Sequence, residues 1–235
     1  MTSRAPVAFL AFSILVGALC VRLGFWQLQR LSERRAAVAT AEARRMVPAL
    51  PILGIQDPEG RRATATGRFD YANEVVLRER AREGVPGVEV VTPLRLDGSD
   101  TAVLVVRGFV PSADAMGYNP ALHREADSGT VSGLVLPLPS DSAGARPALR
   151  EGRETWRRLD LTSLRGRSPY PLSPYYLLAD SPATASPAPR RSVAPALDDG
   201  PHRNYAIQWF AFGLIAFGGA AALWWRGRRP ALPVP

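Results

Sequence analysis

A histidine and two aromatic residues, His202, Tyr205 and Trp209, stand at the start of a strongly apolar segment. On a helix of 3.6 residues per turn, positions i, i+3 and i+7 fall on one face, so these side chains would form a stripe. An imidazole can be an axial ligand of a haem iron, and aromatic rings beside it can stack on the macrocycle. A histidine near a helix start can also be an ordinary interfacial residue beside a membrane aromatic belt. The residues alone leave both interpretations open.

The sequence offers little for other kinds of chemistry. His123 stands alone in a loop, and the one cysteine, Cys20, lies inside an apolar segment. Neither a zinc site nor a disulfide framework is therefore predicted. The acidic pair Asp198-Asp199, near His202, lies in a proline-rich stretch and is interpreted as a solvated turn or as charges at a helix start. Since no Ser-His-Asp arrangement or nucleophile elbow is evident, we expect no enzymatic activity.

Two segments are apolar enough to cross a membrane. Residues 7–21 and 205–225 contain no charged residue, and a bilayer core of ~30 Å needs about 20 helical residues. The second segment fits directly, and the first is extended to 6–26, which places its one charge near an interface. Because the bulky Leu19 precedes Cys20 and no small-residue cleavage site follows, we expect an uncleaved anchor rather than a signal peptide.

The net charge of +8 does not indicate nucleic-acid binding. All 29 basic residues are arginines, and 24 of them lie with all 21 acidic residues between Arg30 and Arg203, so that region is almost balanced. The excess lies at the two ends, in Arg4 and residues 226–229. The positive-inside rule places such ends in the cytoplasm. We therefore expect both termini inside, the middle region outside, membrane lipid as a partner and no nucleic acid.

The middle of the chain is predicted to be rich in β-structure, because short alternating or β-branched runs are separated by turn residues. Asp97-Gly98 indicates a hairpin, and Leu161–Leu164 a short helical turn. Seven strands at this spacing favour a predominantly antiparallel barrel or sandwich. The predicted strands are Arg62–Phe69, Glu74–Arg80, Gly87–Arg95, Ala102–Phe109, Thr130–Leu138, Thr155–Asp160 and Tyr175–Ala179.

These elements predict a membrane protein with two transmembrane α-helices flanking a β-rich extracytoplasmic domain. The stretch after the first helix has no glycine or proline before Pro48, which favours a helical stalk. The predicted segments are a cytoplasmic tail (1–5), a first transmembrane helix (6–26), the stalk (27–47), the β-rich domain (48–180), a proline-rich tether (181–203), a second transmembrane helix (204–225) and a cytoplasmic tail (226–235).

Small residues repeat along both predicted transmembrane helices. They are Ser13, Gly17, Cys20 and Gly24 on the first, and Gly213, Ala216 and Ala220 on the second. Small faces allow helices to approach closely in lipid. We expect the two helices to pack antiparallel, which would bring His202 and Trp209 close to Gly24 and Trp26. Two independent anchors are the alternative.

Arg107 lies within the most apolar of the predicted strands. An arginine in such a position needs a partner of opposite charge. We interpret it as a strand arginine paired with an acid such as Glu89 or Asp70.

Four motifs in the chain belong together. They are LGFWQLQR (23–30), GRFD (67–70), GVPGVEVVTPLRLDG followed by VLVVRGFVP (84–98 and 103–111), and HRNYAIQWF (202–210). In order and separation they resemble the motifs of the Surfeit locus protein 1 family, the assembly factors of cytochrome c oxidase. Three residues depart from that pattern: Phe109 replaces a tryptophan, Val106 an asparagine, and Arg203 an apolar residue. The first two keep hydrophobic strand positions, so we expect the fold to persist.

The resemblance implies a function in building the catalytic subunit of the oxidase. Bacterial members are thought to bind haem a and to aid its insertion or retention in subunit I. Haem a is thus the implied cofactor, subunit I and haem a synthase are the implied partners, and the bacterial plasma membrane is the implied location. His202 becomes the candidate iron ligand, with Tyr205 and Trp209 below it and Trp26 and Arg30 completing the pocket. A membrane scaffold that assembles oxidase subunits without binding haem is the alternative.

Overall fold

The computed structural model describes residues 4–141, 144–150, 153–180 and 189–228. They form two compact units, one of Met1–Ala41 with Leu197–Pro235 and one of Glu42–Ala196. The helices are α1 (Arg4–Met46), α2 (Leu161–Arg165) and α3 (His202–Gly227). The strands are β1 (Leu50–Pro51), β2 (Arg62–Phe69), β3 (Val75–Arg82), β4 (Val85–Leu96), β5 (Ala102–Pro111), β6 (Ser128–Pro137), β7 (Ala148–Arg150), β8 (Arg153–Trp156) and β9 (Leu172–Ala179).

α1 is one continuous helix that covers both the predicted first span and the predicted stalk. It ends at Met46, two residues before Pro48, because the residue that precedes a proline is restricted to extended conformations. α3 covers the second predicted span. By length and composition, both helices can cross a membrane, because the most apolar 18-residue stretch has a mean hydropathy of 2.2 in α1 and 1.7 in α3.

The first unit is an antiparallel pair of α1 and α3. The buried residues of α1 recur at alternating steps of four and three, the seam spacing of packed helices, and they are Ser13, Gly17, Cys20, Gly24, Gln27 and Leu31. Gly213 of α3 lies against Gly17 and Cys20, and Ala206 and Ala220 are buried. The predicted packing of the two small-residue stripes is therefore confirmed.

The second unit is built on a closed five-stranded barrel. The strands pair in the order β2-β6-β9-β5-β4, and β4 pairs again with β2 to close the barrel. The pairs within it are antiparallel except β5 with β9, which run parallel. At the closing contact a Cβ on Gly67 would overlap the carbonyl oxygen of Arg95, so the close approach of β2 and β4 requires glycine. The β-rich domain is thus confirmed as a barrel and not a sandwich.

β5 is buried on both faces and therefore serves two hydrophobic clusters. Val103 and Val105 belong to the cluster to which all five barrel strands contribute, while Leu104 and Val106 belong to a second one. The second cluster also contains Trp156 of β8 and residues of α2. Strands β3, β8 and β7 extend the sheet beyond β4, with β3 and β8 parallel.

The predicted strands and turns agree with this topology in most places. The hairpin at Asp97-Gly98 joins β4 to β5, with Gly98 at φ 76°, and the predicted helical turn is α2. The strand predicted over Thr155–Asp160 is wrong in its bounds, because Asp160 caps α2 by accepting a hydrogen bond from the Ser163 backbone N–H at 2.8 Å. The short strands β1 and β7 were not predicted.

The prediction that Arg107 pairs with an acidic side chain is confirmed, but the predicted partners are wrong. Arg107 is 1% exposed, and its side chain forms ion pairs with Glu74 at 2.7 Å and Glu125 at 3.0 Å. Its Nε also donates to Thr92 Oγ1 at 2.7 Å. Of the predicted partners, Asp70 instead caps the turn that precedes β3, where it accepts hydrogen bonds from two backbone N–H groups.

Part of the predicted tether lies in the barrel unit. Residues 189–196 belong to that unit, whereas 181–188 lie outside the described residues. Arg190 and Phe109 exchange two backbone hydrogen bonds, at 2.7 and 2.8 Å, and Arg191 donates to the carbonyl oxygen of Arg107 at 2.6 Å. The chain before α3 is therefore tied to β5 at these positions.

Candidate functional site

The candidate site of the helix pair is centred on His202, the first residue of α3. Its Nδ1 lies 2.9 Å from Oε1 of Gln27 on α1. Gln27 is 8% exposed and follows Gly24 on the buried stripe of α1. One hydrogen bond thus joins side chains 175 residues apart in the sequence.

The chain that leads into α3 is also attached to α1. The Nε of Arg34 donates to the carbonyl oxygen of Asp198 at 3.0 Å, and Arg35 forms an ion pair with Asp199 at 2.8 Å. Asp198 also accepts a hydrogen bond from the Gly200 N–H. Both acidic residues beside His202 are therefore engaged in holding the helix start, which gives them a structural use.

The other predicted site residues do not contact His202 through hydrogen bonds, and most of them are exposed. Trp209 is half-buried and packs edge-on against Phe212, with ring centroids 6.1 Å apart. Tyr205 is 46% exposed, because the buried stripe runs through its neighbour Ala206. Trp26 is 49% exposed, and Arg30 is exposed and paired with Glu33 at 2.7 Å. Among the described residues, none of these four is hydrogen-bonded to His202.

Gln27 is the site residue that the sequence prediction missed. Its signal was present in the spacing of the small residues, since a further step of three from Gly24 leads to Gln27. A glutamine at a buried seam position requires a hydrogen-bonding partner. His202 on the opposite helix provides it.

The side chains at this site suit a metal ion that is already coordinated by a macrocycle. Within the described parts of the chain, no group of three or more His, Cys, Asp or Glu side chains could hold a bare ion. The His202 ring makes no hydrogen bond through Nε2 to another described residue, so the lone pair of that nitrogen can bind a metal. A histidine imidazole is one of the common protein ligands of a haem iron. Arg203 is exposed and forms no ion pair with a described residue, so its charge can meet a carboxylate.

The barrel unit contains a cavity of about 420 Å³ with Trp156 and Tyr170 in its walls. Two of the polar side chains in its walls, Arg167 and Tyr170, already have partners. Arg167 forms an ion pair with Glu154 at 2.7 Å, and the Tyr170 hydroxyl donates to Asp70 at 3.0 Å. Burial and this contact with a carboxylate raise the pKa of Tyr170, which keeps the phenol neutral. The free imidazole nitrogen of the helix pair is the stronger candidate.

Comparison with known proteins identifies the family. The model of the SURF1 family matches residues 14–214. An uncharacterised SURF1-like protein of Mycobacterium tuberculosis is 30% identical over 162 residues, which cover 68% of this chain and 58% of the relative. The chain thus spans little more than half the length of that relative.

Two relatives that match over a longer part of this chain carry names of the same family. The Surfeit locus protein 1 of Rattus norvegicus is 26% identical over 238 residues, 92% of this chain and 74% of the relative. A SURF1-like protein of Rickettsia felis is 26% identical over 216 residues, 88% of this chain and 91% of the relative. The family match includes most of α1, the whole barrel and the first half of α3. With the whole barrel and parts of both helices inside the match, the chain belongs to the SURF1 family.

Proposed function

We propose that this protein is an assembly factor for cytochrome c oxidase that binds haem a through His202 and aids its insertion or retention in subunit I. The observation that carries the proposal is the fixed imidazole: Nδ1 is held by Gln27 at 2.9 Å, and Nε2 remains available. Membership of the SURF1 family supports the oxidase as the assembly being served. Subunit I is the proposed recipient, and haem a synthase is the proposed source of the cofactor.

The residues around His202 have separate roles in this proposal. A bound haem would supply an iron that takes a nitrogen ligand, and the Nε2 of His202 would provide it. Trp209 offers an aromatic surface, while Tyr205 and Trp26 are exposed rings on the two helices. Arg203, which lacks an ion-pair partner among the described residues, is better placed than Arg30 to meet a propionate, because Arg30 already pairs with Glu33.

The proposed location is the plasma membrane of a bacterial cell, with membrane lipid around α1 and α3. Both helices are long and apolar enough for this. The arginines near the two chain ends favour cytoplasmic termini, with the barrel on the other side. His202 and Gln27 then lie at the outer ends of the spans.

Absorption spectroscopy tests the proposal directly. The full chain is expressed with a haem a supply, purified in detergent and compared with His202→Ala. His123→Ala is the matched control, because it removes the only other imidazole, which lies in the barrel unit. We expect a haem band in the wild type and in His123→Ala, and loss or alteration of the band in His202→Ala.

Two results would contradict haem binding at this site. An unchanged band in His202→Ala would mean that the imidazole is not a ligand of the haem iron. No band in any of the three proteins favours a scaffold that holds oxidase subunits without haem.

A further inference from the structure

We infer that Gln27 is a positioning residue that sets the tautomer of His202, so that Nδ1 carries the proton and Nε2 carries the lone pair. The consequence for haem rests on the proposed function, whereas the tautomer itself is a property of the haem-free chain. Gln27 lies outside the set of residues that the motif pattern marked as cofactor contacts.

The first step is the burial of Gln27. Gln27 is 8% exposed, on a seam whose other members are Leu31 and small residues. Leaving a buried amide without a hydrogen-bonding partner is unfavourable, because the amide has lost its contacts with water. His202 is its hydrogen-bonding partner among the described residues. This one contact therefore satisfies the amide and also orients the imidazole.

The second step is the direction of the hydrogen bond. The carboxamide oxygen Oε1, which can only accept, faces Nδ1. Nδ1 must therefore donate its proton. In a neutral imidazole the other nitrogen then holds the lone pair, because the hydrogen bond of one ring nitrogen decides the state of the other. Metal-binding histidines are oriented by such partners.

The third step is that the partner comes from the other helix. His202 starts α3, whereas Gln27 lies within α1, and the two helices are held together by close contacts at Gly17, Gly24 and Gly213. The ligand state of the imidazole therefore depends on the pairing of α1 with α3. An isolated α3 would present a histidine without a fixed tautomer.

Nitrogen NMR of the haem-free chain measures the tautomer without any cofactor. The full chain is labelled with ¹⁵N-histidine in the His123→Ala background and studied in detergent at about pH 9, where an ordinary imidazole of pKa about 6.5 is neutral. We expect the Nδ1–H form to dominate. A dominant Nε2–H form would mean that the amide donates to Nδ1, and it would overturn the inference.

Two variants of α1 assign the effect to Gln27. Gln27→Leu should lose the preference for Nδ1–H, whereas Gln27→Glu should keep it, because a carboxylate oxygen still accepts. Gln29→Leu is the matched control, since this residue lies two positions away on the exposed side of α1 and donates to Glu33. An unchanged His202 spectrum in Gln27→Leu would overturn the inference.

Haem titration then measures the consequence. Loss of a hydrogen-bonding partner behind a ligand histidine typically weakens metal binding roughly 10–100-fold. We expect a loss of that size in Gln27→Leu and affinity near the wild-type value in Gln27→Glu and Gln29→Leu. Equal affinity in Gln27→Leu and the wild type would overturn the positioning role. A wild type that binds no haem would refute the proposed function, and the NMR result would still decide the tautomer.

Discussion

Gly213 of α3 lies directly against the backbone of Gly17 on α1. A Cβ at Gly213 would be 3.4 Å from the Gly17 carbonyl oxygen and 3.3 Å from Cγ2 of Val21. There is room for one methyl group at most, because the facing atoms include main chain that cannot rotate away. Close approach of this kind is how helices associate in lipid, where dispersion contacts supply much of the attraction.

A larger residue at Gly213 should open the helix pair. In Gly213→Leu, overpacking of about 1–3 kcal/mol would make the buried Cys20 thiol react with a lipophilic maleimide roughly 5–150-fold faster in detergent. Gly218→Leu on the same helix is the control, since nothing lies within 4 Å of a Cβ there. Equal labelling rates of Gly213→Leu and the wild type would contradict the packing described for this contact.

The helix pair was predictable from the sequence to a large extent. The small-residue stripes and their antiparallel packing followed from spacing, because few side chains permit close contact in lipid. The position of Tyr205 was not predictable in this way. His202 and Trp209 are separated by two turns, so both Tyr205 and Ala206 lie near the line between them, and only packing decides that Ala206 is buried.

The strands of the barrel unit were predictable from the sequence, whereas the pairing that closes the barrel was not. Seven strand runs were visible, yet barrel closure depends on the pairing of β2 with β4, a long-range contact for which the sequence carries no local signal. The partners of Arg107 were missed for the same reason. Glu74 and Glu125 reach it from a turn and a loop that are distant in sequence, and no local pattern marks either of them as its partner.

Reporter fusions test the proposed orientation in the membrane. Alkaline phosphatase, which is active only outside the cytoplasm, should be active when inserted at Asp141 in the barrel unit and inactive when fused after Pro235. A fluorescent protein that folds in the cytoplasm should show the opposite pattern at the same positions. The charges at the two chain ends are the physical reason, and a reversed pattern would refute cytoplasmic termini.

Removal of Arg107 should destabilise the barrel unit strongly. Arg107→Leu leaves the buried Glu74 without its cation and leaves Glu125 with Arg191 alone, and breaking a buried pair costs about 3–5 kcal/mol. For a domain of this size we expect the melting temperature to fall by roughly 6–20 °C. Intrinsic-fluorescence melting of the full chain in detergent measures it.

The control for that variant is an exposed ion pair. Arg157→Leu removes an arginine that pairs with Glu79 at 3.0 Å on the surface. Such pairs contribute about 0–1 kcal/mol, so the melting temperature should change by only a few degrees. A similar fall in both variants would mean that the buried position of Arg107 has no special effect on stability.

Glu125 should make the stability of the barrel unit sensitive to acid. Burial alone would raise the pKa of Glu125, but hydrogen bonds and charges from Arg191 and Arg107 outweigh it and hold the pKa below its ordinary value. The ionised form is then favoured by folding. Its stabilising contribution is complete above the unfolded pKa of about 4.3 and is lost as the pH falls through the lower folded pKa.

The melting temperature between pH 7 and pH 3 measures this contribution. Glu125→Gln should melt lower than the wild type at pH 7 and lose less stability on acidification, because its amide does not titrate. Glu154→Gln, at the half-exposed pair with Arg167, is the control and should melt within a few degrees of the wild type at pH 7. If Glu125→Gln and the wild type lost stability in parallel down to pH 3, the two arginines would not be holding Glu125 ionised in the folded chain.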